Sequence, residues 1–281
     1  MTVQIIDGKA IAEEIRGKLR DKITELKLTP GLAVIQVGNN SASKIYVSSK
    51  RKACEETGIY IDVHRLPAGT KESEVIALVK KLNKDSKIHG ILVQLPLPDK
   101  IDERAVLDTI NSEKDVDGLT KKNLGALFIG NPRIIPCTPR GIMKLIKSTG
   151  VELEGKHAVV IGRSMLVGKP IAMLLQQKNC TVTMCHSRTK NLEEHTKTAD
   201  ILVSAVGVPQ LITGEMIKEG AVVIDVGINR LDNGKVVGDV DFKSAKEKAA
   251  FITPVPGGVG PMTVVSLLEN VVEAAARIAN P

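Results

Sequence analysis

The sequence predicts an α/β protein of two domains, each with a parallel-sheet core, and a cleft between them. Three observations predict this. Short apolar clusters alternate with helix-period segments almost from end to end. The clusters carry apolar residues on both faces, as strands covered by helices on both sides must. One strand passes into a helix through a glycine-bounded loop at 162–168, the context in which a helix N-terminus meets an anion. A chain of 281 residues suffices for two ordinary domains, each burying its own core.

The elements follow in order. Residues 9–27 place Ile11, Ile15, Leu19, Ile23 and Leu26 at helical spacing behind Asp7 as N-cap. GLAVIQVG is an apolar strand, followed by a helix from about Ser41 to Thr57 that Gly58 stops. IDVHRL, a helix over 72–85, HGILVQLPLP and a helix over 102–112 complete a β-α-β-α-β-α run. The domain boundary is expected between the DVDG segment at 115–118 and a helix beginning near Thr138, giving domains of 1–118 and 119–263. In the second half HAVVIG, the helix after VGKP, TVTMCHS, a helix near 191–199, ILVSAVG, a helix over 214–219 and AVVIDVGI repeat the alternation. Asp232-Asn233-Gly234 in LDNGKVVG signals a hairpin. The chain closes with FITPVPGGVGPM and a helix from about Thr263 to Ala279.

Composition narrows the classes of function. Apolar residues make up 43% and charged residues 25%, the balance of a globular protein. No apolar run reaches the roughly 18–20 residues of a membrane span, and the N-terminus lacks the pattern of a secretion signal, so a cytoplasmic protein is expected. Net charge is +7, but the lysines are spread along amphipathic segments. With 2% aromatic residues there is little with which to stack bases, and nucleic acid is not an expected partner. None of Cys54, Cys137, Cys180 and Cys185 forms a CxxC pair, and the five histidines keep no metal-ligand spacing, so no metal is expected.

Several stretches carry candidate chemistry. The loop Gly162-Arg163-Ser164-Met165-Leu166-Val167-Gly168 suits a dinucleotide pyrophosphate at a helix N-terminus. Its G-x-S-x-x-x-G spacing departs from G-x-G-x-x-G, and a tight structural turn is the alternative. About twenty residues on, where an NAD site carries an acid for the ribose, the chain reads Cys185-His186-Ser187-Arg188. Ser187 with Arg163 suits a 2′-phosphate instead, so NADP is favoured over NAD. Gln94, Asp115 and Asp117 stand near strand ends in the first half. Tyr46 and Lys50 lie one helical turn apart, a spacing that by itself is better explained by an amphipathic helix with a snorkelling lysine. Pro256-Gly257-Gly258 lets backbone approach a flat ligand, or is simply a loop.

Read together, YVSSKRKA, VQLPLP, KDVDGL, PCTPRG, GRSMLVGKP, VTMCHSRT, DVGIN and PVPGGVGPMT resemble, in order, the signature blocks of the bifunctional methylenetetrahydrofolate dehydrogenase/methenyltetrahydrofolate cyclohydrolase family. The resemblance covers about residues 40 to 265. It implies an N-terminal catalytic domain, joined by the C-terminal helix 264–281, and a Rossmann-like cofactor domain. It implies oxidation of 5,10-methylenetetrahydrofolate with NADP, then hydrolysis to 10-formyltetrahydrofolate. Lys50 is then the proton handler of the hydrolysis, Gln94 its hydrogen-bonded partner, Tyr46 the ring that stacks on the aminobenzoate, and Asp117 the acceptor for the pterin edge. Gly162, Arg163, Ser164, Gly168, Ser187 and Ile228 are implied for the cofactor, and Pro256, Gly257 and Gly258 for the substrate. A homodimer through the cofactor domain is also implied. A shikimate-dehydrogenase-like oxidoreductase is the alternative, and a nucleic-acid-binding protein the remote one.

Overall fold

The computed structural model describes residues 2–279. In chain order the elements of its first half are β1 (Gln4–Ile5), α1 (Gly8–Glu25), β2 (Gly31–Val37), α2 (Ser41–Thr57), β3 (Tyr60–Leu66), α3 (Glu72–Lys84), β4 (Gly90–Val93), α4 (Glu103–Thr109) and α5 (Lys121–Phe128). The second half contains α6 (Cys137–Ser148), β5 (His157–Ile161), α7 (Gly168–Gln176), β6 (Thr181–Cys185), α8 (Leu192–Thr196) and β7 (Ile201–Ser204). A 3-10 turn at Gly214–Met216, β8 (Val222–Asp225), β9 (Asn229–Arg230), β10 (Val236–Val237), α9 (Phe242–Ala245), β11 (Phe251–Ile252) and α10 (Val259–Ala279) complete it.

Two compact units result. One comprises Glu13–Cys137 and the described residues from Val264 onward; the other comprises the chain up to Ala12 and Thr138–Thr263. Two details differ from the expected domains of 1–118 and 119–263. The chain before Glu13 joins the second unit because β1 pairs in parallel with β11, Gln4 opposite Phe251. Residues 119–137 stay with the first unit because the Asp115 carboxylate accepts the N–H groups of Leu119 and Thr120. The buried Asn270 of α10 also donates to the carbonyls of Val116 and Ile135. Residues 1, 280 and 281 of the expected segments lie outside the described residues.

The first unit is built on a three-stranded parallel sheet ordered β3-β2-β4. Every residue of β2 is buried, as a central strand covered on both faces requires. Ala33, Ile35 and Val37 share a core with Val75, Val79 and Leu82 of α3, so side-chain alternation turns Leu32, Val34 and Gln36 to the other face. There α2 packs against β2 and β3, and a Cβ added to Gly90 of β4 would lie 2.8 Å or less from Val116 and 3.2 Å from Val271 of α10.

The second unit is a six-stranded, wholly parallel sheet ordered β1-β11-β8-β7-β5-β6. β5 connects to β6 on one side while β7 lies on its other side, so the chain reverses direction across the sheet at β5, where ligands of such sheets bind. β9 and β10 form the antiparallel hairpin signalled by Asp232-Asn233-Gly234, with Gly234 at φ +80°. The helix expected over 214–219 is one 3-10 turn. No helix was expected at α5, which Thr120 caps by accepting from the Asn123 N–H. α10 begins at Val259 and is long and apolar enough to cross a membrane, contrary to expectation, but 67% of that stretch is buried inside the protein. It is a core helix, with Leu267, Leu268, Val271 and Val272 each at most 1% exposed.

Candidate active site and cofactor edge

In the first unit, α2 starts at Asn40, whose side chain accepts the Ser43 N–H at 3.0 Å, and ends at Gly58 in the left-handed region. Its buried stripe is Ser43, Val47, Lys50, Cys54 and Thr57, with Ala53 beside it. Lys50 thus stands where helical period demands an apolar residue, and it is only 7% exposed. The snorkelling alternative fails on that burial. Lys50 Nζ donates to Gln94 Oε1 at 2.8 Å, while Gln94 Nε2 donates to the Leu95 carbonyl at 2.8 Å. The amide is therefore held from both ends, immediately after β4.

Burial lowers the Lys50 pKa from the ordinary lysine value; the nearby Asp117 carboxylate, then Cys137 and Cys54, oppose the shift. An amine desolvated in this way gives up its proton more readily, which general acid–base work near neutrality requires. Tyr46, one turn earlier, is half-buried, and burial raises its pKa. Cys54, against the same face, is pushed up to about 12 by burial and is an inert thiol.

The two aspartates of KDVDG have different tasks. Asp115 is 1% exposed, and its carboxylate takes the N–H groups of Leu119 and Thr120 and the Asn123 amide at 2.8–3.1 Å. Burial raises its pKa against those donors. It is the staple of the turn. Asp117 is half-exposed and close enough to Lys50 to act on its charge. Gly118, at φ +72°, sits where a Cβ would fall 2.8 Å from the Pro136 nitrogen. Asn270 and Cys137 both donate to the Val116 carbonyl, at 2.8 and 3.2 Å, and so fix the backbone ahead of Asp117. Neither was singled out from the sequence; an asparagine inside the apolar stripe of LLENVVEAA was the available signal for the first.

In the second unit the carboxyl ends of the parallel strands gather the cofactor candidates along one edge. Gly162 follows β5 at φ +116°, and a Cβ there would lie 2.3 Å from the Ala205 carbonyl oxygen. A Cβ on Gly168 would lie 2.1 Å from the Gly162 carbonyl oxygen. Both glycines are thus required for the strand to turn so closely into α7. Ser164 Oγ accepts the N–H groups of Val167 and Gly168 at 3.1 and 3.4 Å, bracing the loop while Arg163 and Ser164 remain exposed. Gly162 N–H bonds the Cys185 carbonyl at 2.9 Å, so Ser187, exposed beyond β6, lies along the same edge as Arg163. His186 belongs to the turn: its Nδ1 accepts the Arg188 N–H at 3.1 Å.

Ile228, 52% exposed, follows β8 on that edge, on a loop tied by two aspartates not picked out from the sequence. Asp225, 4% exposed, accepts the N–H groups of Gly227, Asp239 and Val240 at 2.9–3.0 Å. Asp239, fully buried, accepts from Val206, Gly207 and the Asn229 amide at 2.7–3.2 Å. Burial pushes the Asp225 carboxyl up to about 6, although its three N–H donors pull it down. Pro256, Gly257 and Gly258 also belong to this unit, so the expected substrate set is divided between the two. Pro256 is exposed, Gly257 has φ +113°, and Gly258 N–H closes the turn on the Pro254 carbonyl at 2.9 Å. A Cβ on Gly8 would fall 2.0 Å from the Gly258 carbonyl oxygen, so the turn packs backbone to backbone on the start of α1.

Comparison with known proteins matches both units to family models. Residues 6–117 match the tetrahydrofolate dehydrogenase/cyclohydrolase catalytic domain, and residues 136–279 the NAD(P)-binding domain of the same family. The chain is 58% identical over 280 residues to the bifunctional protein FolD of Moorella thermoacetica, spanning 99% of this chain and 100% of that one. It superposes with a TM-score of 0.97 on the crystal structure of the bifunctional FolD enzyme of Campylobacter jejuni, at 48% identity over 98% of this chain and 99% of that one. The Trypanosoma brucei enzyme complexed with NADP cofactor and inhibitor superposes with a TM-score of 0.96, at 41% identity over 99% of both chains.

Proposed function

The chain belongs to the tetrahydrofolate dehydrogenase/cyclohydrolase family, and we propose that Tyr46, Lys50, Gln94 and Asp117 carry its folate chemistry. The enzyme oxidises 5,10-methylenetetrahydrofolate to 5,10-methenyltetrahydrofolate by hydride transfer to NADP+, then hydrolyses that product to 10-formyltetrahydrofolate in one-carbon metabolism. The observation that carries the assignment of residues is the buried Lys50 held by Gln94 at 2.8 Å.

In the hydrolytic step water adds to the methenyl carbon, and the neutral Lys50 amine takes one of its protons. The bond from that carbon to N5 then breaks, N5 keeping the electron pair and receiving the proton from Lys50. The carbinol proton goes to solvent, and the formyl group stays on N10. Gln94 orients the amine by accepting one of its N–H bonds, which leaves the nitrogen lone pair free to point elsewhere. Tyr46 offers a ring face for the aminobenzoate, adding affinity without adding charge. Asp117 accepts from the N–H donors of the pterin edge, and its charge opposes the fall in the Lys50 pKa that burial causes.

NADP, when bound, supplies the hydride acceptor. The carboxyl edge of the six-stranded sheet fits it. Gly162 and Gly168 make a cradle that a Cβ would fill, and exposed Arg163 and Ser187 suit a 2′-phosphate. Ile228 offers an apolar side chain on the same edge. Pairing into a homodimer through this unit is supported by β6, an edge strand on which Thr181 is exposed and Val182, Thr183 and Met184 are only partly covered. A cytoplasmic setting is supported by four buried, unbridged cysteines.

The test is direct. Purified protein given methylenetetrahydrofolate and NADP+ should produce NADPH, then 10-formyltetrahydrofolate. Asp117→Asn should raise the KM for folate in both reactions by about 10- to 100-fold, the worth of a charge-assisted hydrogen bond. An unchanged KM would remove Asp117 from the site.

A further inference from the structure

Gln36 is 2% exposed, and its Oε1 has no hydrogen-bond partner among the described residues. It lies on β2, where every neighbour in the strand is also buried. Its position is fixed by the ladder. Ile35 is in register with Val93, and the Gln94 N–H continues the pairing onto the Ile35 carbonyl at 2.8 Å. Gln36 and Gln94 are therefore lateral neighbours on one face, at the usual strand spacing of about 5 Å. That face is the one α2 covers, and Gln94 holds Lys50 there.

A buried amide oxygen is almost always hydrogen-bonded, and leaving it without a donor is costly. No group among the described residues donates to it. A leucine or methionine would fill the same core volume without that cost, so the oxygen needs a donor brought from outside the protein. The hydrolytic half-reaction brings one, because water must stand beside Lys50 before it adds to the methenyl carbon.

We propose that Gln36 is a positioning residue for the hydrolytic water, its Oε1 accepting one water O–H beside the Lys50–Gln94 pair. A neutral amide suits this task. It orients the water without taking its proton, which remains for the Lys50 amine. Two side-by-side amides then divide the work: Gln94 holds the base and Gln36 holds the nucleophile. The inference rests on the assignment of Lys50 and Gln94 to the cyclohydrolase.

The experiment compares Gln36→Met, which keeps the length and removes the acceptor, with Gln36→Glu, which keeps an acceptor. Each folded variant, checked by its thermal transition, is assayed for both activities with methylenetetrahydrofolate and with methenyltetrahydrofolate. Gln36→Met should lower the ratio of cyclohydrolase to dehydrogenase kcat about tenfold or more, acting on kcat rather than on the folate KM. Gln36→Glu should recover part of that ratio. A ratio that stays at the wild-type value overturns the proposal, and so does a rise in folate KM shared by both activities, which would make the substrate the donor. Lys50→Met run alongside separates the two claims. If it retains full hydrolysis, the site assignment itself fails; if it loses hydrolysis while Gln36→Met keeps it, only the role of Gln36 fails.

Discussion

Replacing Lys50 by methionine keeps the length of the side chain and its packing in the buried stripe of α2, and removes only the amine. General acid–base assistance contributes about 10²–10⁴-fold, so cyclohydrolase kcat should fall by that factor. Hydride transfer needs no proton acceptor, and the dehydrogenase should fall by far less, through altered folate placement alone. Stability changes by two opposing effects. Gln94 Oε1 loses the donor it had at 2.8 Å, which costs about 1–3 kcal/mol. Against this, a buried amine with a lowered pKa is removed. Because the folded pKa lies below the ordinary value of 10.5, the unfolded chain binds the Lys50 proton more tightly. Lys50's contribution is therefore whole above pH 10.5 and is lost as pH falls toward its depressed folded pKa. Urea melts from neutral to alkaline pH should show the wild type gaining on the variant as pH rises. The kinetic assay follows NADPH and methenyl absorbance together. In the variant, methenyltetrahydrofolate should accumulate in step with NADPH instead of passing through as a transient. If both rates fall by the same factor and no methenyl product accumulates, Lys50 supports the fold or substrate binding and the proton-handling argument is wrong.

Three other substitutions probe the second unit. Arg163→Ala should raise the KM for NADP+ by roughly 10- to 100-fold, the range of a charge-assisted contact, and leave that for NAD+ nearly unchanged; parallel titrations with both cofactors decide it. Gly162→Ala puts a Cβ 2.3 Å from the Ala205 carbonyl oxygen at φ +116°, so it should destabilise the protein by about 2 kcal/mol or more and weaken NADP+ binding, measured by thermal melting and by cofactor titration. Asp225→Asn turns an acceptor of three backbone N–H groups into a group with only one acceptor atom, costing about 1–3 kcal/mol. Its pH signature is specific: the folded pKa is raised from 3.8 to about 6, so the wild-type contribution is whole below pH 3.8 and is lost as pH rises through about 6. The Asn variant should lack that decline in urea melts across the window.

Much of the fold could be read from periodicity, because strand and helix faces repeat at 2 and 3.6 residues and leave their mark in local sequence. The β-α-β alternation, the Asn40–Gly58 limits of α2 and the 232–234 hairpin turn are all local signals. β1 is not: Gln4 and Ile5 become a strand only because Phe251 and Ile252 stand beside them. Short α5 and the 3-10 turn at Gly214–Met216 carry too few residues for a periodic pattern to emerge. The order of motifs identified the folate chemistry, yet the distinct tasks of Asp115 and Asp117 depend on which carboxylate the 119–123 turn encloses.

By itself the sequence determined most of the elements and both parallel sheets, and it supplied Tyr46, Lys50, Gln94 and Asp117 as the candidates for handling folate. Only the tertiary structure decided that Lys50 is buried, for a lysine four residues from a tyrosine looks the same on a wet helix face as on a packed one. The lateral register of β2 and β4 aligns Gln36 with Gln94, and α2 lies over that face. Desolvation and hydrogen-bond partners are properties of what surrounds a group in space. The sequence names Lys50 and Gln94; the sheet and the helix over it set which side chains stand beside them.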